Sequence, residues 1–174
     1  MVKDDLIGIY RTALNNCKLT YASMVLWAHD DMPSVFEAFY EKLEIPKPFP
    51  DLLPILRDPK VLKISCEELY DATHRAAIKE MFEITKHYCE TTSQFPQLKA
   101  QPWYQFWRIL RNCFSHDLLF RFNAYDLKQL PLTWAGTTLD AGLEGKHLTH
   151  GRMSRDKIRE LLETAAQFVE HDLK

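Results

Sequence analysis

The chain has 174 residues, 46% of them apolar and 12% aromatic, which supports a folded domain with a real core and excludes a disordered chain. With 22 basic against 24 acidic residues the formal net charge is −2, so any nucleic-acid surface has to be a local patch. The start, Met1-Val2-Lys3-Asp4-Asp5, is no secretory signal, and no apolar run approaches the ~20 residues that cross a bilayer. Cys17, Cys66, Cys89 and Cys113 are widely spaced with no Cys-x-x-Cys pair. These features predict reduced, mostly packed cysteines and a cytoplasmic protein with no membrane association.

From about Lys3 to Glu44, apolar residues recur at helical spacing: Leu6, Ile9, Tyr10, Ala13, then Met24, Val25 and Ala28. Asn15-Asn16 and Asp30-Asp31-Met32-Pro33 are read as interruptions, with Pro33 in the first turn of a new helix. The stretch from Ile45 to Pro59 contains five of the nine prolines and cannot hold a long helix; a short helical turn on the surface is expected there. Ser65 is the predicted cap of a long helix to about Glu90. Glu67 and Glu68 suit its positive end, and Leu69, Ala72, Ala76, Met81, Ile84 and Tyr88 supply the apolar period.

A polar loop ending at Pro102 leads to a second strong helix, from Trp103 to Phe120. Trp103, Phe106, Trp107, Leu110, Phe114 and Leu118 share its broad core face. Leu132-Thr133-Trp134 and Lys146-His147-Leu148-Thr149 flank a bend at Gly142-Leu143-Glu144-Gly145, which predicts a β-hairpin or structured loop. Ser154 then caps a last amphipathic helix through Ile158, Leu161, Leu162, Ala165, Phe168 and Val169. The fold class is therefore all-α, a single-domain helical bundle over residues 1–174 with a small hairpin before its last helix.

The chemistry concentrates in Arg111-Asn112-Cys113-Phe114-Ser115-His116. A guanidinium, an amide and an imidazole within about a turn and a half of helix suit gripping or cutting a phosphodiester. On an ideal helix Arg111 sits about 100° from Asn112 and about 140° from His116, so spacing alone does not put the pair on one face. Arg108, Asn112 and His116 repeat every four residues, with Ser115 beside them. A chain this rich in arginine and histidine holds about one such pair by chance; asparagine directly after the arginine narrows that considerably. Arg108, Arg111 and Arg121, with Lys99 and Lys128, make the densest basic neighbourhood, able to guide a phosphate backbone or simply to solvate a helix.

This motif, near the end of a late bundle helix, resembles the Arg-x(4–6)-His signature of HEPN domains, in which asparagine commonly follows the arginine. The resemblance extends to the bundle layout, with specific residues only in the motif helix. It implies a metal-independent endoribonuclease, a toxin or defence effector, that needs no cofactor. Arg111 and His116 would be catalytic and Asn112 supporting, with Arg108, Ser115 and Arg121 in substrate binding. His116 would move a proton as the ribose 2′-hydroxyl attacks the neighbouring phosphate, and Arg111 would stabilise the phosphoryl oxygens. The family implies a homodimer, in which Arg111 of one subunit could serve His116 of the other, and allows an antitoxin or regulatory partner. One departure matters: in HEPN toxins paired with nucleotidyltransferase antitoxins a tyrosine commonly lies two residues beyond the histidine, and here that residue is Leu118.

Two alternatives stay open. One is a catalytically inactive HEPN-like module that binds RNA or nucleotides or regulates a partner. The other is an HD-type metal phosphohydrolase using His116-Asp117 with His87 and Asp126 or Asp140. His29-Asp30-Asp31 is either a ligand set or a capped turn, and His147 and His150 either join a substrate cleft or sit on an exposed loop. No Gly-rich phosphate loop, nucleophile elbow or dinucleotide fingerprint occurs.

Overall fold

Helix α1 (Lys3–Trp27) runs unbroken through Asn15-Asn16, contrary to the interruption expected there. Each asparagine costs a helix at most about 0.7 kcal/mol relative to alanine, and the buried stripe of Leu6, Tyr10 and Cys17 outweighs that. The chain does break at Asp30-Asp31, and α2 (Met32–Glu41) opens with Pro33 in its first turn. The computed structural model describes residues 1–42 and 52–174, so Pro46, Pro48 and Pro50 of the Pro-rich stretch lie outside the described residues. Within the described part of that stretch, Leu52–Arg57 forms the short helix α3, as its prolines predict.

Helix α4 (Pro59–Thr91) starts earlier than the Ser65 cap anticipated. Asp58 Oδ1 accepts the backbone N–H groups of Lys60 (2.9 Å) and Val61 (3.1 Å), and Pro59 fills the first helical position, where no donor is needed. Ser65 is therefore an interior residue. The expected polar loop after α4 contains a further short helix, α5 (Phe95–Lys99).

Helix α6 (Tyr104–Ser115) stops short of Phe120. Asp117 and Leu118 take positive φ values of 53° and 61°, outside any right-handed helix. The backbone instead turns and pairs with a later segment: Phe120 N–H donates to Lys146 O (3.0 Å) and Leu148 N–H to Leu118 O (2.7 Å). Helix α7 (Ala124–Gln129) follows, set by a capping box absent from the expected elements. In it Asn123 Oδ1 accepts from the Tyr125 and Asp126 N–H groups (both 2.9 Å), while Asp126 Oδ2 accepts from Asn123 N–H (3.0 Å).

The hairpin exists but is tighter than predicted. Strand β1 (Leu132–Trp134) pairs antiparallel with β2 (Thr137–Leu139) across Ala135-Gly136, whose φ values are 46° and 76°. Two positive-φ residues match the twist of a two-residue connection. The glycine bend at residues 142–145 lies beyond it, where Ala141–Leu143 forms a 3₁₀ turn capped by Asp140. Lys146–Thr149, expected as the second strand, pairs with the chain after α6 instead, as the isolated bridge Leu119–His147 marks. Helix α8 (Arg155–His171) closes the architecture; Ser154 Oγ accepts from Lys157 N–H (3.3 Å), as predicted.

The fold is thus mostly helical with one small antiparallel hairpin before the last helix. Among the described residues, no helix is long and apolar enough to cross a membrane. None of the four cysteines forms a disulfide, and Cys17, Cys89 and Cys113 are buried.

The chain divides into two compact units. The larger comprises Met1–Leu14 and His74–Lys174. Its core is aromatic: Trp107 meets Phe82 edge to face at 5.2 Å and Trp103 meets Phe168 at 5.5 Å. Trp107 Nε1–H also donates to Ile78 O (3.1 Å), so even the polar atom of this buried ring is satisfied. In the smaller unit, Asn15–Thr73, Trp27 meets Phe36 (5.3 Å) and Phe36 stacks on Tyr40 (5.6 Å).

Candidate functional site

The motif residues occupy the end of α6, a helix whose other side is locked into the core by Phe106, Trp107, Ile109, Leu110 and Cys113. That packing fixes the helix axis, so the groups at its end are carried on a rigid element. Cys113, in the middle of the motif, is itself core. Burial pushes its thiol up to about 12, opposed by a hydrogen bond from the Leu148 backbone, so it is no candidate thiolate nucleophile.

Arg111 is half-buried and heavily engaged. Its Nη2 forms an ion pair with Glu83 of α4, its Nη1–H donates to Asn112 Oδ1 (2.8 Å), and its guanidinium lies 5.9 Å from the Phe82 ring centre. Its Nε–H is buried with no acceptor among the described residues. Asn112, expected in a supporting role, holds Arg111 in this structure. Glu83 was invisible to sequence reasoning, because it lies on a different helix with no local motif to flag it.

His116 is not on a helical face at all. It is the residue that ends α6, with φ −130° and ψ 64°, and its N–H donates to Cys113 O (3.1 Å). The helical-wheel angle between Arg111 and His116 therefore does not apply. His116 is exposed, and among the described residues no hydrogen bond or ion pair joins its side chain to Arg111 within one copy of the chain. Ser115 is spent on its own helix, its Oγ–H donating to Arg111 O (2.9 Å).

The basic neighbourhood is less available than its residue count implies. Arg108 forms an ion pair with the buried carboxylate of Asp126, donates from Nε to Gln105 Oε1 (2.9 Å) and lies 4.9 Å from the Tyr125 ring centre. Its side chain is 17% exposed and that of Asp126 1%, which places the pair in the framework that anchors α7 to α6. Lys99 sits 5.7 Å from the Phe95 ring centre. Arg121, by contrast, is exposed and carries no ion pair among the described residues.

Other candidates resolve quickly. Asp126 is buried and held by Arg108 and by the Asn123 cap, so it does not stand ready as a ligand, while Asp140 Oδ1 accepts from Gly142 N–H (2.8 Å). Among the described residues, no group of three or more His, Cys, Asp or Glu side chains is placed to hold a metal ion. His29 forms a turn in which its Nδ1 accepts from Asp31 N–H (3.3 Å), the capped-turn alternative. A cavity of about 490 Å³ lies in the smaller unit, lined mainly by apolar groups including Met24, Trp27, Leu56 and Leu62; His29 and Asp30 also line it, and none of the residues 111–116 does. Comparison of the chain with known protein families, curated proteins and solved structures gave no match.

Proposed function

We propose that this chain is a metal-independent endoribonuclease of the HEPN type, cutting RNA by attack of a ribose 2′-hydroxyl on the adjacent phosphate. The observation that carries the reading is the guanidinium–amide–imidazole set at the end of a helix held rigidly by the core. Asn112 and Glu83 fix the plane of the half-buried Arg111, whose guanidinium would stabilise a phosphoryl oxygen. His116, exposed at the helix end, takes the 2′-hydroxyl proton, and the products are a 2′,3′-cyclic phosphate and a 5′-hydroxyl. Two copies of the chain, with Arg111 of one serving His116 of the other, would complete the constellation that one copy leaves apart. The same reading makes the protein a cytoplasmic toxin or defence effector, open to control by an antitoxin.

A second reading has an observation of its own. Glu83 pairs with Arg111 and competes with a phosphate for it, as befits a catalytically silent module that regulates a partner or binds RNA through other cations such as the exposed Arg121.

End-labelled total RNA incubated with purified wild type and His116→Ala, each with and without EDTA, separates these readings. The ribonuclease reading expects EDTA-resistant cutting that leaves cyclic phosphate ends and is lost in the variant. Loss of cutting in EDTA would point to a metal enzyme of the HD type, and a wild type that binds RNA without cutting it to the silent module.

A further inference from the structure

A cleavage that releases a 5′-hydroxyl needs two proton transfers, one from the attacking 2′-hydroxyl and one to the departing 5′-oxygen. His116 accounts for the first. We infer that His147 supplies the second, an inference that rests on the ribonuclease reading above.

The argument is one of placement. Leu119 N–H donates to His116 O (2.9 Å), closing a turn over residues 116–119, and such a turn holds its end Cα atoms within about 7 Å. Leu119 is in turn the antiparallel bridge partner of His147, a pairing that sets Cα atoms about 5 Å apart. The Cα atoms of His116 and His147 are therefore no more than about 12 Å apart, so two imidazoles reaching toward each other can bracket one phosphodiester. The segment bearing His147 is tied down at several points. Phe120 N–H donates to Lys146 O (3.0 Å), Gly145 N–H to Phe120 O (2.9 Å) and Leu148 N–H to Leu118 O (2.7 Å). Both histidines are exposed, and so are Arg121 and Lys146, the cations next to the paired residues. The nearby carboxylate of Glu144 is occupied in accepting Phe122 N–H (2.7 Å).

In the step, the 2′-oxygen forms its bond to phosphorus as its proton passes to neutral His116. The phosphorus–5′-oxygen bond breaks as the His147 imidazolium gives that oxygen a proton. His116 leaves the step protonated and His147 neutral, and exchange with water restores both. No metal or other reactant is consumed.

The test uses a single-stranded RNA that the wild type cuts, and the same RNA with sulfur replacing the 5′-bridging oxygen at the cut linkage. A thiolate departs without a proton, so it bypasses a general acid and nothing else. His147→Ala and His147→Gln are expected to lose about 10²- to 10⁴-fold on ordinary RNA and to return close to the wild-type rate on the sulfur substrate. His116→Ala stays slow on both. The inference is overturned if the His147 variants cut ordinary RNA like wild type, if they are equally slow on both substrates, or if His150→Ala shows the sulfur rescue instead. A wild type that cuts no RNA removes the ribonuclease reading and this inference with it, a failure visible before any variant is made.

Discussion

The two compact units use their apolar residues in opposite ways. Every one of the largest fully buried side chains, from Trp107, Phe106 and Phe120 to Leu162 and Val169, belongs to the larger unit. The smaller unit buries Cys17, Tyr40, Leu56, Leu62 and Tyr70 but exposes Leu19, Leu26, Val35, Phe39, Ile64 and Leu69 among others, and it holds the 490 Å³ cavity. The difference teaches where precision resides. The motif is mounted where the core is dense, and dense packing is what keeps a few polar groups in a defined arrangement.

The strongest challenge to this contrast is a pair of truncations. Trp107→Ala should cost about 3–5 kcal/mol, since it removes a fully buried ring and the hydrogen bond it donates to the Ile78 carbonyl. Leu62→Ala in the smaller unit should cost about 2 kcal/mol or less, the low end for a buried leucine. Urea unfolding of both variants measures this; equal losses would erase the distinction between the units.

Next in size is Asp126→Ala, which strands Arg108 and dissolves the α7 capping box, at about 3 kcal/mol. The same unfolding assay reads it, and a cost below about 1 kcal/mol would mean that Arg108 is not framework and is available to substrate.

Alkaline pH sharpens the comparison further. Burial pushes the Cys89 thiol up to about 11 and Cys113 to about 12 from an ordinary value of 9.0. The folded state thus favours the neutral thiols. Their contribution is complete below about pH 9 and is lost as pH rises through 11–12, at about 1.4 kcal/mol per pH unit for each thiol. Unfolding midpoints from pH 8 to pH 10 should fall less steeply in Cys113→Ala; an unchanged slope would contradict the assignment. The smallest effect is at helix caps. Ser154→Ala should cost about 1 kcal/mol, whereas Asp31→Ala in the smaller unit should cost almost nothing, because Asp31 makes no side-chain cap to α2. Thermal melting compares them.

How much of this was legible depended on range. The α8 stripe and its Ser154 cap, the Pro33 start of α2 and the core face of Trp103, Phe106, Trp107 and Leu110 were all readable, because periodicity and capping act over a few residues. The α7 capping box is equally local, Asn123 three residues before Asp126. The end of α6 was not readable in the same way. Leu118 continues the apolar period, yet the chain leaves the helix to pair with residues 145–148, a partner fixed only by the path of everything between.

By itself the sequence determined the all-α class, the hairpin before the last helix, and the set of groups that α6 carries, since each is a property of nearest neighbours along the chain. Only the tertiary structure decided what those groups do to one another. It gave Arg111 to Glu83, Arg108 to Asp126, and brought His147 beside the turn that His116 begins. The reason is that ion pairs and backbone bridges act between residues distant along the chain, and their partners are set by packing rather than by spacing.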